Sequence, residues 1–198
     1  MSSISFFALV SRMKYINRWG LMRNSRQENI AEHTLETAYL THLLCELRNL
    51  SGETGVDTER AVMLALYHDL PEIITGDLPT PVKYSSKGLL DAYRESERAA
   101  VRTLIGSLPD YLAPRYEGYL EPEPTEDTVE LLKIVKAADK LSALIKCIEE
   151  RRSGNTDFSQ AERQTLESLK AMGMSEVELF LRDYLPAYEM TLDEQTRV

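Results

Sequence analysis

The sequence predicts an all-α protein, a single compact helical bundle spanning residues 1–198. Three observations lead there. Apolar residues recur at helical spacing along most of the chain, whereas period-two alternation is almost absent. Turn-forming Gly, Pro and Asn fall between the periodic stretches rather than inside them. A chain of 198 residues, with 43% hydrophobic and 28% charged residues, has the size and balance of one well-packed domain.

The elements follow in order. Phe6, Val10, Met13 and Ile16 share one stripe, which predicts a first helix over residues 2–16. Gly20 and the polar run Asn24-Ser25-Arg26-Gln27 break it. Asn29 followed by Glu32 is a capping box opening a second helix that runs to about Leu50 and stops near Gly52. Asp57 is a good N-cap for a third helix through Ala61, Leu64, Ala65 and His68. Pro71 lacks the donor a helix interior needs, so it ends that helix or starts a new turn. Thr75-Gly76-Asp77-Leu78-Pro79-Thr80-Pro81 reads as a rigid loop. A fourth helix covers about Ser86 to Ile105. The stretch with Pro109, Pro114, Pro122 and Pro124 is a broken connection holding one short helix. A long helix runs from Thr125 to about Arg152, with Leu132, Val135, Leu141, Leu144 and Ile148 among its apolar positions, and Ser153-Gly154-Asn155 ends it. Helices over roughly 156–172 and 175–190, separated by Gly173, complete the chain. There is no internal repeat and no linker.

A formal net charge of -9 argues against binding nucleic-acid polymers, because phosphate backbones reward Lys and Arg. A small phosphorylated ligand needs only a local positive site. Arg12, Lys14, Arg18, Arg23 and Arg26 precede any acid up to Glu28, and they form either a solvated basic loop or such a site. The only cysteines, Cys45 and Cys147, lie in helical patterns outside any CxxC, which suggests semi-buried thiols in a reducing compartment. The apolar patch from Ile4 to Val10 is too short for a bilayer, and neither a cleavage site nor a preceding basic residue accompanies it. We expect a cytoplasmic protein with no membrane partner.

The chemistry rests on a few side chains. His68 and Asp69 are adjacent near the end of an apolar helix, with Glu72 one turn beyond His68. They form either a polar helix end or an imidazole–carboxylate pair for a metal. His33 points inward on the evidence of Leu40, Leu43 and Leu44. His42, nine residues later and about half a revolution away at 3.6 residues per turn, cannot share its site. Asp139 follows Leu132 and Val135 by seven and four positions, which places its carboxylate on the apolar stripe, where it needs a cation, a donor network or a metal.

In the order His, His-Asp, Asp on three helices, these residues resemble the HD-domain phosphohydrolases. That resemblance implies an HD-domain helical bundle with a site for one divalent metal, suited to manganese, iron, cobalt, nickel or zinc. Phe6-Phe7-Ala8, Ile16-Asn17-Arg18-Trp19, Leu21-Met22-Arg23-Asn24, Glu32-His33, Tyr67-His68-Asp69, Glu72, the run Thr75 to Tyr84 and Lys136-Ala137-Ala138-Asp139 narrow it further. Together they are similar to the bacterial 5'-deoxynucleotidases of the YfbR type. The similarity is strongest over the first two-fifths of the chain and around Asp139.

The resemblance implies hydrolysis of deoxyribonucleoside 5'-monophosphates by a homodimer activated by cobalt or manganese. His33, His68, Asp69 and Asp139 would hold the metal, with Asp69 and Asp139 also reaching the substrate. Arg18, Glu72 and Asp77 would form the catalytic set, Arg18 orienting the phosphate and Glu72 serving the hydrolytic water. Asp77, Leu78, Pro79 and Thr80 would line the nucleotide site, and Trp19 would face the sugar. The competing expectations are an HD hydrolase acting on a triphosphate or an alarmone, and a helical module that binds metal without catalysis.

Overall fold

The computed structural model describes residues 5–52 and 55–197. The protein is all-α, and an isolated bridge between Asn17 and Asn29 is the only β pairing among the described residues. The described residues form eleven α-helices, in order α1 Phe6–Val10, α2 Ile30–Leu50, α3 Thr58–Tyr67, α4 Glu72–Thr75, α5 Thr80–Lys83, α6 Lys87–Ile105, α7 Ala113–Leu120, α8 Glu126–Arg152, α9 Ser159–Lys170, α10 Ser175–Leu179 and α11 Leu192–Gln195. Among the described residues no helix is long and apolar enough to cross a membrane.

The predicted caps at Asn29 and Asp57 form, and Ser86 and Thr125 cap the helices expected to begin there. Asn29 Oδ1 accepts from the Ala31 and Glu32 amides while Glu32 reaches back to the Asn29 amide. Asp57, Ser86 and Thr125 each accept from an amide three residues on, satisfying donors that a helix start otherwise leaves orphaned.

Helices α2, α3 and α8 pack around Leu40, Leu44, Leu64, Ala65, Ile134, Ala138, Leu141 and Ile145. Arg48 pairs with Glu130 at 2.6 Å while His33 meets Ser142 at 2.9 Å, so α2 and α8 run antiparallel. A second cluster of Phe6, Met13, Ile30, Leu70, Leu104 and Leu108 joins the N-terminal segment to α6.

Several boundaries differ from the expected ones. Residues 2–4 of the predicted first helix, with the Ile4 end of the apolar patch, lie outside the described residues. The remainder is α1 followed by a 3₁₀ segment, Ser11–Tyr15. The loop at Thr75–Pro81 gives way to α5 at Thr80, because Pro81 in a first turn sacrifices no hydrogen bond. The helix expected over 175–190 is split into α10, a π-turn at Phe180–Tyr184 and a 3₁₀ turn at Leu185–Glu189. Pro186 is the cause, since its ring and missing N–H oppose a continuous α ladder. Leu132 is 39% exposed, and the buried stripe of α8 is instead Leu131, Ile134, Val135, Ala138 and Leu141. Asp139 therefore stands at the border of the buried face rather than at its centre. Both thiols are fully buried, not semi-buried, and burial pushes each up to about 12.

One polar cluster fixes the long N-terminal loop to α8. Glu150 is buried and accepts from the Ser25 amide and hydroxyl, from Asn155 Nδ2 and from Lys146. Lys146 also donates to the Arg26 carbonyl at 2.6 Å, and Asn155 donates to the Arg23 carbonyl at 2.6 Å. Burial raises the Glu150 carboxyl, but bonds from Lys146, Ser25 and Asn155 outweigh it and hold the group well below the usual range. Glu150→Ala should therefore cost about 3–5 kcal/mol in urea unfolding at neutral pH, the scale of stranding a buried partner charge. Because the folded pKa is depressed, this stabilisation is complete above the ordinary value of 4.5 and is lost as pH falls below it. Glu150→Gln should flatten the acid limb of the stability curve; an acid limb as steep as the parent's would contradict this account.

Candidate active site

His33 lies in the first turn of α2 and is fully buried. Its Nδ1 is 2.9 Å from Ser142 Oγ on α8, and the Ser142 hydroxyl donates to Glu36 Oε2 at 2.5 Å. A hydroxyl carries one proton, so with that O–H directed at Glu36 the Ser142 oxygen accepts from His33 Nδ1–H. His68, just past the end of α3, has Nδ1 2.6 Å from the Ala65 carbonyl, which can only accept. Both rings thus carry a proton on Nδ1 and turn Nε2 toward a common centre.

Two carboxylates border that centre. His33 Nε2 is 3.3 Å from Asp69 Oδ2 and 3.3 Å from Asp139 Oδ1, and His68 Nε2 is 3.1 Å from Asp69 Oδ2. Despite these distances, both Nε2 atoms are buried without hydrogen-bond geometry to any described residue. Ligand atoms of His33, His68 and Asp139 lie within 4.8 Å of one another, a spacing that could hold a metal ion. Asp69 places one oxygen between the two imidazoles. Lys136 donates to the outer Asp139 oxygen at 2.5 Å.

The electrostatics call for positive charge. Burial raises Asp69 and Asp139, yet the imidazoles, and for Asp139 also Lys136, hold both well below the usual carboxylate range. Burial lowers His68, but Asp69 and Asp139 overcome it and push the imidazole up to about 9. Without a cation, the two carboxylates retain a proton on His68. A divalent ion satisfies the same demand while using the Nε2 lone pairs that the Nδ1 contacts have freed.

Glu72 opens α4, and its Oε2 is buried with no hydrogen-bond partner among the described residues. Burial, then Asp69 and Asp77, push its carboxyl up to about 9. Gly76 has φ +73°, the left-handed turn that glycine adopts without strain, and it directs the chain toward Asp77. Tyr93 Oη donates to the Gly76 carbonyl at 3.2 Å and steadies that turn. Burial raises Asp77 despite nearby Arg18. Leu78 and Pro79 are half-buried and Thr80 is exposed. Among the described residues no hydrogen bond ties these three to the imidazoles or carboxylates.

Arg18 and Trp19 approach from the N-terminal loop, which is closed by Arg18 N–H to the Glu28 carbonyl at 2.9 Å and Ile30 N–H to the Ile16 carbonyl at 2.9 Å. Burial lowers the Arg18 guanidinium, but Glu28, Asp139, Asp69 and Asp77 more than reverse that, which places Arg18 within the field of the site. Of the five basic residues in this run only Arg18 does this. Arg12 and Lys14 lie over Tyr15, Arg23 faces Asp157, and Arg26 faces Glu32. The rest of the run is the solvated loop. His42 is exposed and takes no part, as its register requires.

The structure thus brings His33, His68, Asp69 and Asp139 together, with Glu72, Asp77 and Arg18 around them. Sequence reasoning missed Glu28, Glu36 and Ser142. The last two carried a weak signal, since each lies three residues beyond an expected ligand on the same helical face, after His33 and Asp139 respectively. Glu28 was visible only as the acid ending the basic run.

A family described as 5'-deoxynucleotidase YfbR-like matches residues 5–188. The 5'-deoxynucleotidase of Pectobacterium atrosepticum is 40% identical over 194 residues, covering 98% of this chain and 96% of that protein. Two solved structures share the fold. One is an HD-domain phosphohydrolase from Listeria innocua, with a TM-score of 0.79, 24% identity and coverage of 93% and 88% of the two chains. The other is the cyanophage S-2L HD phosphohydrolase bound to dA and one catalytic Zn2+, with a TM-score of 0.64, 22% identity and coverage of 93% and 96%. The chain belongs to the YfbR-like 5'-deoxynucleotidase family.

Proposed function

We propose that this chain, acting as a single domain, hydrolyses deoxyribonucleoside 5'-monophosphates to deoxynucleoside and phosphate, with one divalent metal ion held by His33, His68, Asp69 and Asp139. What carries the reading is the pair of buried Nε2 atoms, freed by their Nδ1 contacts and facing two carboxylates in a member of this family. When bound, the ion supplies Lewis-acid chemistry to the phosphoryl group and positive charge that favours ionised Glu72. Mixed imidazole and carboxylate donors suit several first-row ions, and we assign cobalt or manganese from the family resemblance.

The remaining roles fall to the chain itself. Arg18 orients the phosphate through its planar fork of donors. Asp69 and Asp139 border the phosphoryl group. Glu72 accepts the proton of the attacking water at Oε2, which has no other partner among the described residues. Asp77 completes the catalytic set beside Glu72, and with Leu78, Pro79 and Thr80 it lines the nucleotide. Trp19 packs on the 2' side of the sugar, where a ribonucleotide hydroxyl would find neither room nor partner. The reading includes a cytoplasmic homodimer, for which Leu35 and Tyr39, exposed one helical turn apart on α2, offer apolar surface.

The primary test strips the protein of metal and assays mononucleotides, triphosphates and an alarmone with each candidate ion. Hydrolysis of deoxynucleoside monophosphates is expected; activity on none of them with any ion sinks the proposal. Asp139→Ala should abolish turnover and release the metal, measured by elemental content after dialysis, since the site loses an anionic ligand. Glu72→Ala should lower kcat by about two orders of magnitude or more while metal content and nucleotide affinity persist; loss of the metal would make Glu72 a ligand instead. In a matched dAMP and AMP comparison, Trp19→Ala should lose discrimination by improving AMP relative to dAMP, on the scale of one buried unpaired hydroxyl, about 1–3 kcal/mol.

A further inference from the structure

Trp19 is the one non-glycine among the described residues with positive φ, at +60°. The left-handed region is strained for a bulky side chain, and such a conformation persists only where its surroundings over-determine it. Contacts on its carbonyl and its indole do so. The Trp19 carbonyl accepts from the Met22 amide at 2.9 Å and from Asn24 Nδ2 at 3.3 Å. The indole packs on Phe158 with ring centres 5.2 Å apart, and its Nε1–H donates to Glu28 Oε2 at 2.9 Å.

The same oxygen, Glu28 Oε2, also accepts from Arg18 Nη1 at 2.7 Å. A carboxylate oxygen has two lone pairs in its plane, and here one holds the guanidinium and the other the indole. The Arg18 and Glu28 side chains are each only 13% exposed, so water competes little for either bond. No other described residue accepts from the Arg18 side chain, which leaves its remaining donors for an anion. Glu28 in turn is tied to the loop, since its own carbonyl accepts from the Arg18 amide at 2.9 Å. Neighbouring residues of an extended chain point to opposite sides, and the left-handed Trp19 backbone is what lets both side chains reach one acceptor.

We propose that Glu28 is a positioning residue that couples phosphate and sugar recognition: by holding Arg18 and Trp19 on one oxygen, it sets the indole relative to the phosphate and so sustains discrimination against the 2'-hydroxyl without touching substrate. This rests on the roles proposed above for Arg18 and Trp19. Selectivity for a missing hydroxyl requires a tight wall at a set distance from a fixed anchor, because a loose apolar wall rejects a hydroxyl only weakly. Anchor and wall here share one hinge point.

The test separates reach from charge. Glu28→Gln keeps an acceptor oxygen at the same reach and removes the charge. Glu28→Asp keeps the charge and withdraws the oxygen by one methylene. The deoxy preference, taken as the ratio of kcat/KM for dAMP to that for AMP, should survive in Gln, with KM raised for both nucleotides. It should fall by about tenfold in Asp, on the scale of relaxing one hydroxyl-sized contact. Trp19 is the chain's single tryptophan, so intrinsic emission reports the same event in metal-stripped protein without turnover. Asp should shift emission to the red and increase acrylamide quenching, while Gln should match the parent. Glu28→Asp combined with Trp19→Ala should lose no more preference than Trp19→Ala alone. If Trp19→Ala reduces the preference but Glu28→Asp leaves both the ratio and the emission at parent values, the coupling is overturned and the reading of Trp19 stands. If the parent has no deoxy preference, both fall together. Thermal unfolding of each variant identifies a general loss of fold, and were Asp to unfold, parent-like selectivity and emission in Gln would support the proposal while their loss would overturn it.

Discussion

Two carboxylates and two imidazoles crowded at the edge of an apolar bundle set the terms for the rest of this molecule. Asp69 and Asp139 are roughly four-fifths buried, with side-chain exposures of 21% and 19%, and an isolated buried charge is far too costly to leave uncompensated. The antiparallel pairing of α2 with α8 brings His33 and Asp139 into contact across more than a hundred residues of sequence, and the end of α3 adds His68 and Asp69. Each imidazole is turned by a fixed partner on its far side, the Ser142–Glu36 relay for one and a helix carbonyl for the other. The result is a centre that must hold positive charge, as a proton or as a metal ion.

A second level of organisation delivers the groups that would meet a substrate. Between Ile16 and Ile30 the N-terminal loop packs Trp19 on Phe158, and polar bonds hold much of the rest. Glu150, Lys146 and Asn155 capture its distal half, while Glu28 captures Arg18 and Trp19. Buried polar networks of this kind contribute modest net stability when complete and are costly when broken, so they define one conformation more than they strengthen it. That suits a loop proposed to present a guanidinium and an indole at set positions. Strain at Trp19 is tolerated because bonds to its carbonyl and contacts on its indole hold it in place.

Much of this was legible in the chain before any coordinates. Helix starts at Asn29, Asp57, Ser86 and Thr125 were local events, each written in a capping residue and the amides it serves. The register that excluded His42 from the site of His33 was equally local. The loop around Gly76 and Asp77, and the pairing of His68 with Asp69, were recognisable as a pattern. Harder to read were Leu132, which periodicity placed inside and the edge of α8 leaves exposed, and the C-terminal segment, where Pro186 widens the helix into a π-turn rather than ending it.

By itself, then, the sequence determined the helical class, the caps, the residue types of the candidate site and the family resemblance, because each depends on interactions spanning a few positions or on a motif read in order. Only the tertiary structure decided which polar residues work together. Ser142 and Glu36 are ordinary helix residues until α2 meets α8, and Glu28 is an ordinary end to a basic run until the loop folds back on itself. Their protons, lone pairs and charges acquire a role only when distant segments meet, and no periodicity records a hydrogen bond between residues 106 positions apart.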